Sequence, residues 1–309
     1  MDAILNINKP TGPTSHDIVA RLRRSINPKR IGHAGTLDPP ASGVLLICLD
    51  NATRITEYLM NLPKEYVATL VLGAETDTED QTGRVVKESD CSYIGRLAVE
   101  NVLERFVGSI MQVPPMVSAV HYKGRRLYEI ARTGKTVERQ ARAVEVYHLE
   151  LLDFHPGTRP EAVLHVKCSR GTYIRTLCAD IGRALGCGGF MSSLVRIAVG
   201  KFSLDESVTV ETVEEMASSG RLSEIAYTID EALEHLPFVT VSGSQISAVA
   251  NGVAIPIGDV TVSPGETEVV ERLPVRIHDP KGELLGIGII SRSPRGTLSM
   301  RPDKVFIPR

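Results

Sequence analysis

A chain of 309 residues, 42% hydrophobic and 23% charged, has room for one sizeable domain with a smaller one appended, and its composition excludes a disordered or fibrous protein. The 35 Lys and Arg against 37 Asp and Glu give a net charge of −2, which in total argues against a polyanionic partner. No basic-then-apolar leader opens the chain and no window approaches a membrane span. The five cysteines show neither Cys-x-x-Cys nor zinc-site spacing, so the expectation is a cytosolic protein with reduced, structural thiols and no metal.

In chain order, Ile4 to Lys9 reads as a strand and Pro10 to Pro13 as a turn. Thr14 or Ser15 caps a helix whose Ile18, Val19, Leu22 and Ile26 share one face, with an arginine-rich face opposite. Gly32-His33-Ala34-Gly35-Thr36-Leu37-Asp38 then runs into Pro39-Pro40. Its glycines permit positive φ, and the residue before a proline is pushed toward an extended conformation. Asp38 therefore stands on a tight loop with a stiff exit, five residues from an imidazole, although the same residues also describe an ordinary turn with an Asx contact. Val44 to Leu49 is a continuous apolar run, the pattern of a strand buried on both faces, which places Asp38 just ahead of a central strand.

Ala52 to Met60 reads as a helix and Glu65 to Leu72 as a strand with Tyr66 near its start. The acidic stretch between Gly73 and Gly83 lacks the ordered ligands of a calcium loop. Val99, Val102, Leu103 and Phe106 mark an amphipathic helix that ends before Gly108. Residues 112 to 142 have weak periodicity, carry Tyr122 and Tyr128, and form the kind of long basic stretch that is usually functional or mobile. Gly134-Lys135-Thr136 is not a P-loop, because Glu129 occupies the position that motif reserves for glycine. Val144 to Phe154, Val163 to Ser169 and Leu194 to Phe202 read as strands. Gly171-Thr172 turns into a helix with Ile174, Leu177, Ile181 and Leu185 on one face, and Arg175 in its first turn opposes the helix dipole, which suggests a carboxylate partner, although a surface arginine beside a core tyrosine fits the local residues equally well. From Pro237 the texture changes to short β runs (Val239–Val241, Val253–Ile257, Val275–Ile277, Leu284–Ile290, Thr297–Met300), one helix (Ser244–Ala250) and Arg292, Arg295, Arg301, Lys304 and Arg309, which together read as a small β-barrel.

The charge is not evenly spread. Seven Lys or Arg lie between Val120 and Arg142 against two acids, whereas nine acids lie between Asp205 and Glu234 against Arg221 alone. With Arg21, Arg23, Arg24, Lys29 and Arg30 ahead of the Asp38 loop, two basic runs flank one candidate site and are expected to meet phosphates while the acidic block faces away.

Taken together, Asn8-Lys9-Pro10-x-Gly12-x-Thr14-Ser15, Gly32-His33-x-Gly35-Thr36-Leu37-Asp38-Pro39, Lys64-Glu65-Tyr66, Gly73-x-x-Thr76-Asp77-Thr78-x-Asp80-x-x-Gly83 and Gly171-Thr172-Tyr173-Ile174-Arg175 resemble, in that order, the bacterial tRNA pseudouridine-55 synthases, the TruB family. Residues 112 to 142, with Pro114-Pro115-Met116-x-Ser118-Ala119, resemble that family's thumb insertion, and residues 237 to 309 its PUA RNA-binding domain. Two departures stand out: Asp50 where the family has glycine, and Val195 in place of the first of two arginines after Leu194.

The resemblance implies an α+β fold with a mixed, mainly antiparallel central sheet and flanking helices over residues 1 to 236, then the PUA barrel. It implies cofactor-free isomerisation of uridine 55 in the T loop of tRNA by base flipping. Asp38 would open the reaction, either by adding to C1′ or by removing the C2′ proton, with Arg175 as its partner and Tyr66 stacked on the uracil. His33, Gly32, Tyr173, Leu194 and Lys9 would contact the substrate, and Lys123, Arg125, Arg126, Arg132 and Arg142 would grip phosphates. A cytoplasmic monomer that needs no protein partner and no membrane is the expectation. Rival readings are an RNA-binding chaperone without catalysis, a guide-dependent rRNA relative, and a hydrolase taking Asp77 or Asp80 as a second carboxylate.

Overall fold

The structure is a computed structural model and describes residues 1–116, 118, 121–122, 124–126, 130, 134–135, 137–257, 261–263, 272–292 and 298–307. Strand β1 (Ala3–Lys9), helix α1 (Ser15–Ile26), β2 (Ile31–His33) and β3 (Ser42–Leu49) come first. A 3-10 turn (Asp50–Ile55) and α2 (Thr56–Asn61) lead to β4 (Lys64–Leu72). The hairpin β5 (Ala74–Thr76) and β6 (Val85–Glu88), helix α3 (Arg96–Leu103) and β7 (Gly108–Gln112) precede a ribbon of β8 (His121–Tyr122) and β9 (Arg125–Arg126). Then come β10 (Arg142–His155), β11 (Glu161–Cys168), α4 (Ile174–Ala184), β12 (Gly189–Val199), β13 (Phe202–Ser203), α5 (Val210–Ser218), β14 (Ala226–Tyr227) and α6 (Ile229–Ala232).

These strands form one ten-stranded sheet in the order β14-β1-β3-β12-β4-β11-β10-β7, with β2 added on β3 and β13 on β12. Its ladders are antiparallel except the short parallel join of β12 to β3, where Arg196 faces Gly43. That join needs a glycine. Gly43 holds φ +104°, and a Cβ there would come 2.2 Å from the Arg196 carbonyl oxygen.

The core follows the pattern of the sequence. In β3, Val44, Leu46 and Cys48 enter one apolar cluster while Leu45, Ile47 and Leu49 enter another, so the continuous run is buried on both faces. Thr14 and Asp17 form a reciprocal capping box at the start of α1, whose Ile18, Val19 and Leu22 are buried against Leu5 and Ile7 of β1. The departure at Asp50 is explained locally: the residue sits at φ +50°, which glycine adopts freely and aspartate tolerates, and its side chain accepts the Arg30 N–H at 3.1 Å. All five cysteines are free and buried.

A second sheet runs β16 (Ile255–Pro256), β20 (Leu298–Val305), β19 (Leu284–Arg292), β18 (Pro274–His278), β15 (Phe238–Thr240) and β17 (Thr261–Ser263), with α7 (Ser244–Ala250) beside it. Its end strands do not pair with each other among the described residues, so it is an open half-barrel. It docks on the first sheet through Ile287, which joins the cluster of Leu62 and Phe202, and through Arg54, which donates to the Val305 carbonyl at 2.7 Å.

The charge reading needs one correction. The acidic block does not face away: α5 packs on α1, and Arg21 is held by Glu211 at 2.8 Å and Glu214 at 2.6 Å. A run of like charge is visible in sequence, but its partner 190 residues away is not. β12 also begins at Gly189, ahead of the expected Leu194, and the helix expected over Ala52 to Met60 divides into a 3-10 turn and α2.

Candidate active site

Asp38 stands between β2 and β3 in a turn whose centre is Pro39-Pro40; its carbonyl accepts the Ala41 N–H at 3.0 Å. The loop is fixed from below. Leu37 is buried in the cluster of Tyr66, Ile174 and Leu194, and Ser15 at the start of α1 accepts the Leu37 N–H at 2.9 Å. Gly35 takes φ +104°, whereas Gly32 lies in β2 opposite Cys48, so only one of the two glycines uses positive φ.

Arg175 arrives from the first turn of α4. Its Nε lies 2.9 Å from Asp38 Oδ2, with the Arg175 side chain 5% exposed and that of Asp38 37% exposed. The carboxylate is thus held from the protein side and open on the other. Arg175 Nη1 also lies 3.6 Å from Asp80 Oδ2, whose side chain is 7% exposed. Asp80 accepts from the Thr78 hydroxyl at 2.8 Å, and from the Thr82 hydroxyl at 2.6 Å and its N–H at 2.9 Å. The acidic stretch that could pass for a cation loop is folded inward to hold an arginine. The start of α4 is set by Gln112, whose side-chain amide accepts the Tyr173 N–H at 2.7 Å and donates to the Tyr173 carbonyl at 3.0 Å.

A third group completes the frame. Arg196, 1% exposed, lies opposite Tyr66 in the β12–β4 ladder. It donates to the carbonyls of Val44 at 2.7 Å, Thr36 at 3.3 Å and Gly35 at 3.2 Å. One guanidinium therefore ties the strand after Asp38 to the loop before it. Above these residues opens a cleft of about 600 Å³, lined by Asp38, Tyr66, Tyr173, Arg175, Leu194 and Arg196 among others. Burial pushes the Tyr66 and Tyr173 phenols above their usual range, with Arg196 near Tyr66 and Ser118 near Tyr173 opposing the shift, so both rings present neutral faces. A carboxylate with one fixed and one open side, beside neutral aromatic rings in a cleft of nucleotide size, suits acid–base or nucleophilic chemistry on a flat ligand.

Comparison with known proteins carries the argument further. Residues 23–174 match the TruB family pseudouridylate synthase N-terminal domain and residues 175–234 the tRNA pseudouridylate synthase B C-terminal domain. A tRNA pseudouridine synthase B from Heliobacterium modesticaldum is 44% identical over 99% of this chain and 96% of its own length. The chain belongs to the TruB family. Another tRNA pseudouridine synthase B, from Symbiobacterium thermophilum, is 49% identical over 82% of this chain and 83% of its own. Among solved structures, a Cbf5-Nop10-Gar1 complex superposes with a TM-score of 0.77 at 29% identity, covering 99% of this chain and 85% of that one. The protein therefore has the pseudouridine synthase fold and is an isomerase that forms pseudouridine in tRNA.

Not every expected site residue of this synthase reaches the cleft. Asp38, Tyr66, Tyr173, Arg175, Leu194 and Arg142 line it. Gly32 and His33 lie on β2 outside that lining; burial lowers the His33 imidazole, with Arg196 and His16 adding to the effect, and its Nδ1 has no hydrogen-bond partner. Lys9 is corrected from substrate contact to loop support. It is 0% exposed, and its Nζ donates to the carbonyls of Pro10 at 2.8 Å, Pro13 at 2.9 Å and Pro39 at 3.5 Å. Arg125 and Arg126 form β9, whereas Lys123, Arg132, Tyr128, Ala119, Arg295, Thr297 and Arg309 lie outside the described residues.

The sequence reading missed Arg196, Gln112, Ser15 and the role of Asp80. Of these, Asp80 and Ser15 stand within the family motifs and Arg196 holds the second arginine position after Leu194, whereas Gln112 carried no signal. Lys64 also lines the cleft; burial pushes it down to about 8, and it donates to the Leu62 carbonyl at 2.6 Å. Among the described residues, no helix is long and apolar enough to cross a membrane.

Proposed function

We propose that this chain isomerises uridine 55 in the T loop of tRNA and that Asp38 opens the reaction. The uridine N1–C1′ bond breaks, the uracil turns over, C5 bonds to the same sugar carbon, and the proton displaced from C5 is balanced by one gained at N1. Nothing is consumed, so the residues of the cleft suffice without metal or cofactor. The observation that carries the reading is the Asp38–Arg175 pair: one carboxylate oxygen fixed at 2.9 Å by a buried guanidinium, on a side chain that keeps an open face toward the cleft. Both routes available to that carboxylate, attack on C1′ and removal of the C2′ proton, begin from this geometry.

The base is stacked inside folded tRNA and must be extruded at a cost of a few kcal/mol. Tyr66 stacks on it as a neutral ring; because burial raises its phenol, stacking and not proton abstraction is the role its environment favours. Tyr173 and Leu194 supply the apolar wall, and Arg142 at the cleft edge meets a phosphate, joined by the cations of residues 112 to 142. Residues 1–236 form the catalytic domain and 237–309 a PUA domain that grips the stem.

The protein works as a cytoplasmic monomer without a guide. Guide-dependent action is the reading that the likeness to Cbf5 complexes would favour, and the higher identity to tRNA pseudouridine synthase B over the whole chain weighs against it. The test is mass mapping of unmodified tRNA incubated with the purified chain alone. A single pseudouridine in the T loop is expected; no pseudouridine without added RNA or protein, or release of free uracil, overturns the reading.

A further inference from the structure

We infer that His148, Glu150 and His165 form a binding site for a divalent cation of the zinc class, on the face of the central sheet opposite the cleft. The register of the β10–β11 ladder sets Glu150 across from His165, with His148 two residues along β10 and therefore on the same face. One ligand atom from each of the three lies within 4.8 Å of the others; His148 Nε2 is 3.2 Å from Glu150 Oε2, and the two imidazoles meet edge to face at 5.2 Å. Neighbouring positions in the ladders, Leu149, Leu164, Val166 and Tyr66, point the other way into the core, so the cluster and the catalytic tyrosine occupy opposite faces.

A second observation singles out His165. Its Nε2 is buried and makes no well-formed hydrogen bond; its partner is Glu65 Oε2 at 3.4 Å, a long contact that joins Lys167 in lowering the Glu65 carboxylate. A ring nitrogen held only by so long a contact, beside a second imidazole and a carboxylate, can exchange that contact for a cation. Two imidazoles and one carboxylate are the donor set zinc takes when a fourth position stays open, with metal–ligand distances of about 2.0–2.2 Å that small side-chain rotations would reach from this spacing. Glu65 is outside the set, because Lys167 holds its other oxygen at 2.9 Å. That lysine also places a positive charge nearby, so binding in the micromolar range is expected and not the tight binding of a closed structural site.

The test is calorimetric titration of ZnCl2 into the untagged full-length chain, repeated with His148→Ala, His165→Ala and the double variant. The wild type should take up one equivalent with micromolar affinity, each single variant should bind at least about tenfold more weakly, and the double variant should show no site. Because His148 is exposed, His148→Ala stays folded and keeps the inference testable if His165→Ala does not. All variants that fold should retain pseudouridine formation, which separates this inference from the active-site reading. No zinc uptake by the wild type, or uptake unchanged in His148→Ala, overturns it.

Discussion

Arg175→Lys is the most instructive perturbation of the cleft, because it keeps the charge and removes the fork. At 2.9 Å from Asp38 and 3.6 Å from Asp80, each attraction is on the order of 5 kcal/mol at an effective dielectric near 20, before the cost of burying the charges is subtracted. Removing one partner of a buried pair costs about 3–5 kcal/mol, most of it the burden of the charge left behind. Here the two sides differ. Asp38 can rehydrate through its open face, whereas Asp80 keeps three hydrogen bonds from Thr78 and Thr82 but has little access to water.

Lysine retains a counter-charge for one of them, so the expected loss is about 1–2 kcal/mol of stability in urea unfolding. The rate should suffer more. A single ammonium cannot hold Asp38 Oδ2 and reach Asp80 together, and a misplacement of about 1 Å at a reacting group costs on the order of 100-fold. Single-turnover release of the C5 hydrogen from tritiated tRNA reads that rate, and filter binding reads tRNA affinity. A folded Arg175→Lys enzyme with near wild-type rate would refute the positioning argument. A fall in affinity that matches the fall in rate would move Arg175 into binding.

Arg196→Met removes the donor shared by Gly35, Thr36 and Val44 and should cost about 3 kcal/mol in denaturant unfolding, because buried carbonyls lose charge-assisted bonds; a loss below 1 kcal/mol would deny it the linking role. For Lys9, burial pushes the ammonium from 10.5 down to about 8. The unfolded chain then binds more protons between those values, and stability rises with pH across the window. The stability difference between wild type and Lys9→Met should grow by about 3 kcal/mol from pH 8 to 10.5, and a flat difference would contradict the burial argument. Finally, tRNA affinity should fall steeply as salt rises, since several cations between residues 112 and 142 displace counterions; a flat response would make that segment a solvated face.

Much of the frame was legible where local chemistry was itself unusual. An apolar run with no alternation announced β3, two prolines after Asp38 announced the stiff turn, and a cation in the first turn of α4 pointed to a carboxylate, which the structure supplies as Asp38. What escaped were partners set only by tertiary folding. Arg196 reads as one more residue in a strand until its side chain is seen buried between β3 and the Asp38 loop. Asp80 sits in a polar stretch whose inward turn depends on an arginine 95 residues later. Arg21 looked ready for phosphate because nothing near it in sequence reveals Glu211 and Glu214, and Lys9 looked available because its three carbonyl partners come from turns, which carry no side-chain signal.

The central claim is that one aspartate starts the isomerisation, and Asp38→Asn tests it most directly, since the amide keeps the size of the side chain and removes the charge. The variant and the wild type are each incubated with unmodified tRNA, and pseudouridine is mapped by mass while tRNA affinity is measured in parallel. The account predicts no pseudouridine and unchanged affinity. Isomerisation at a rate near that of the wild type would contradict it.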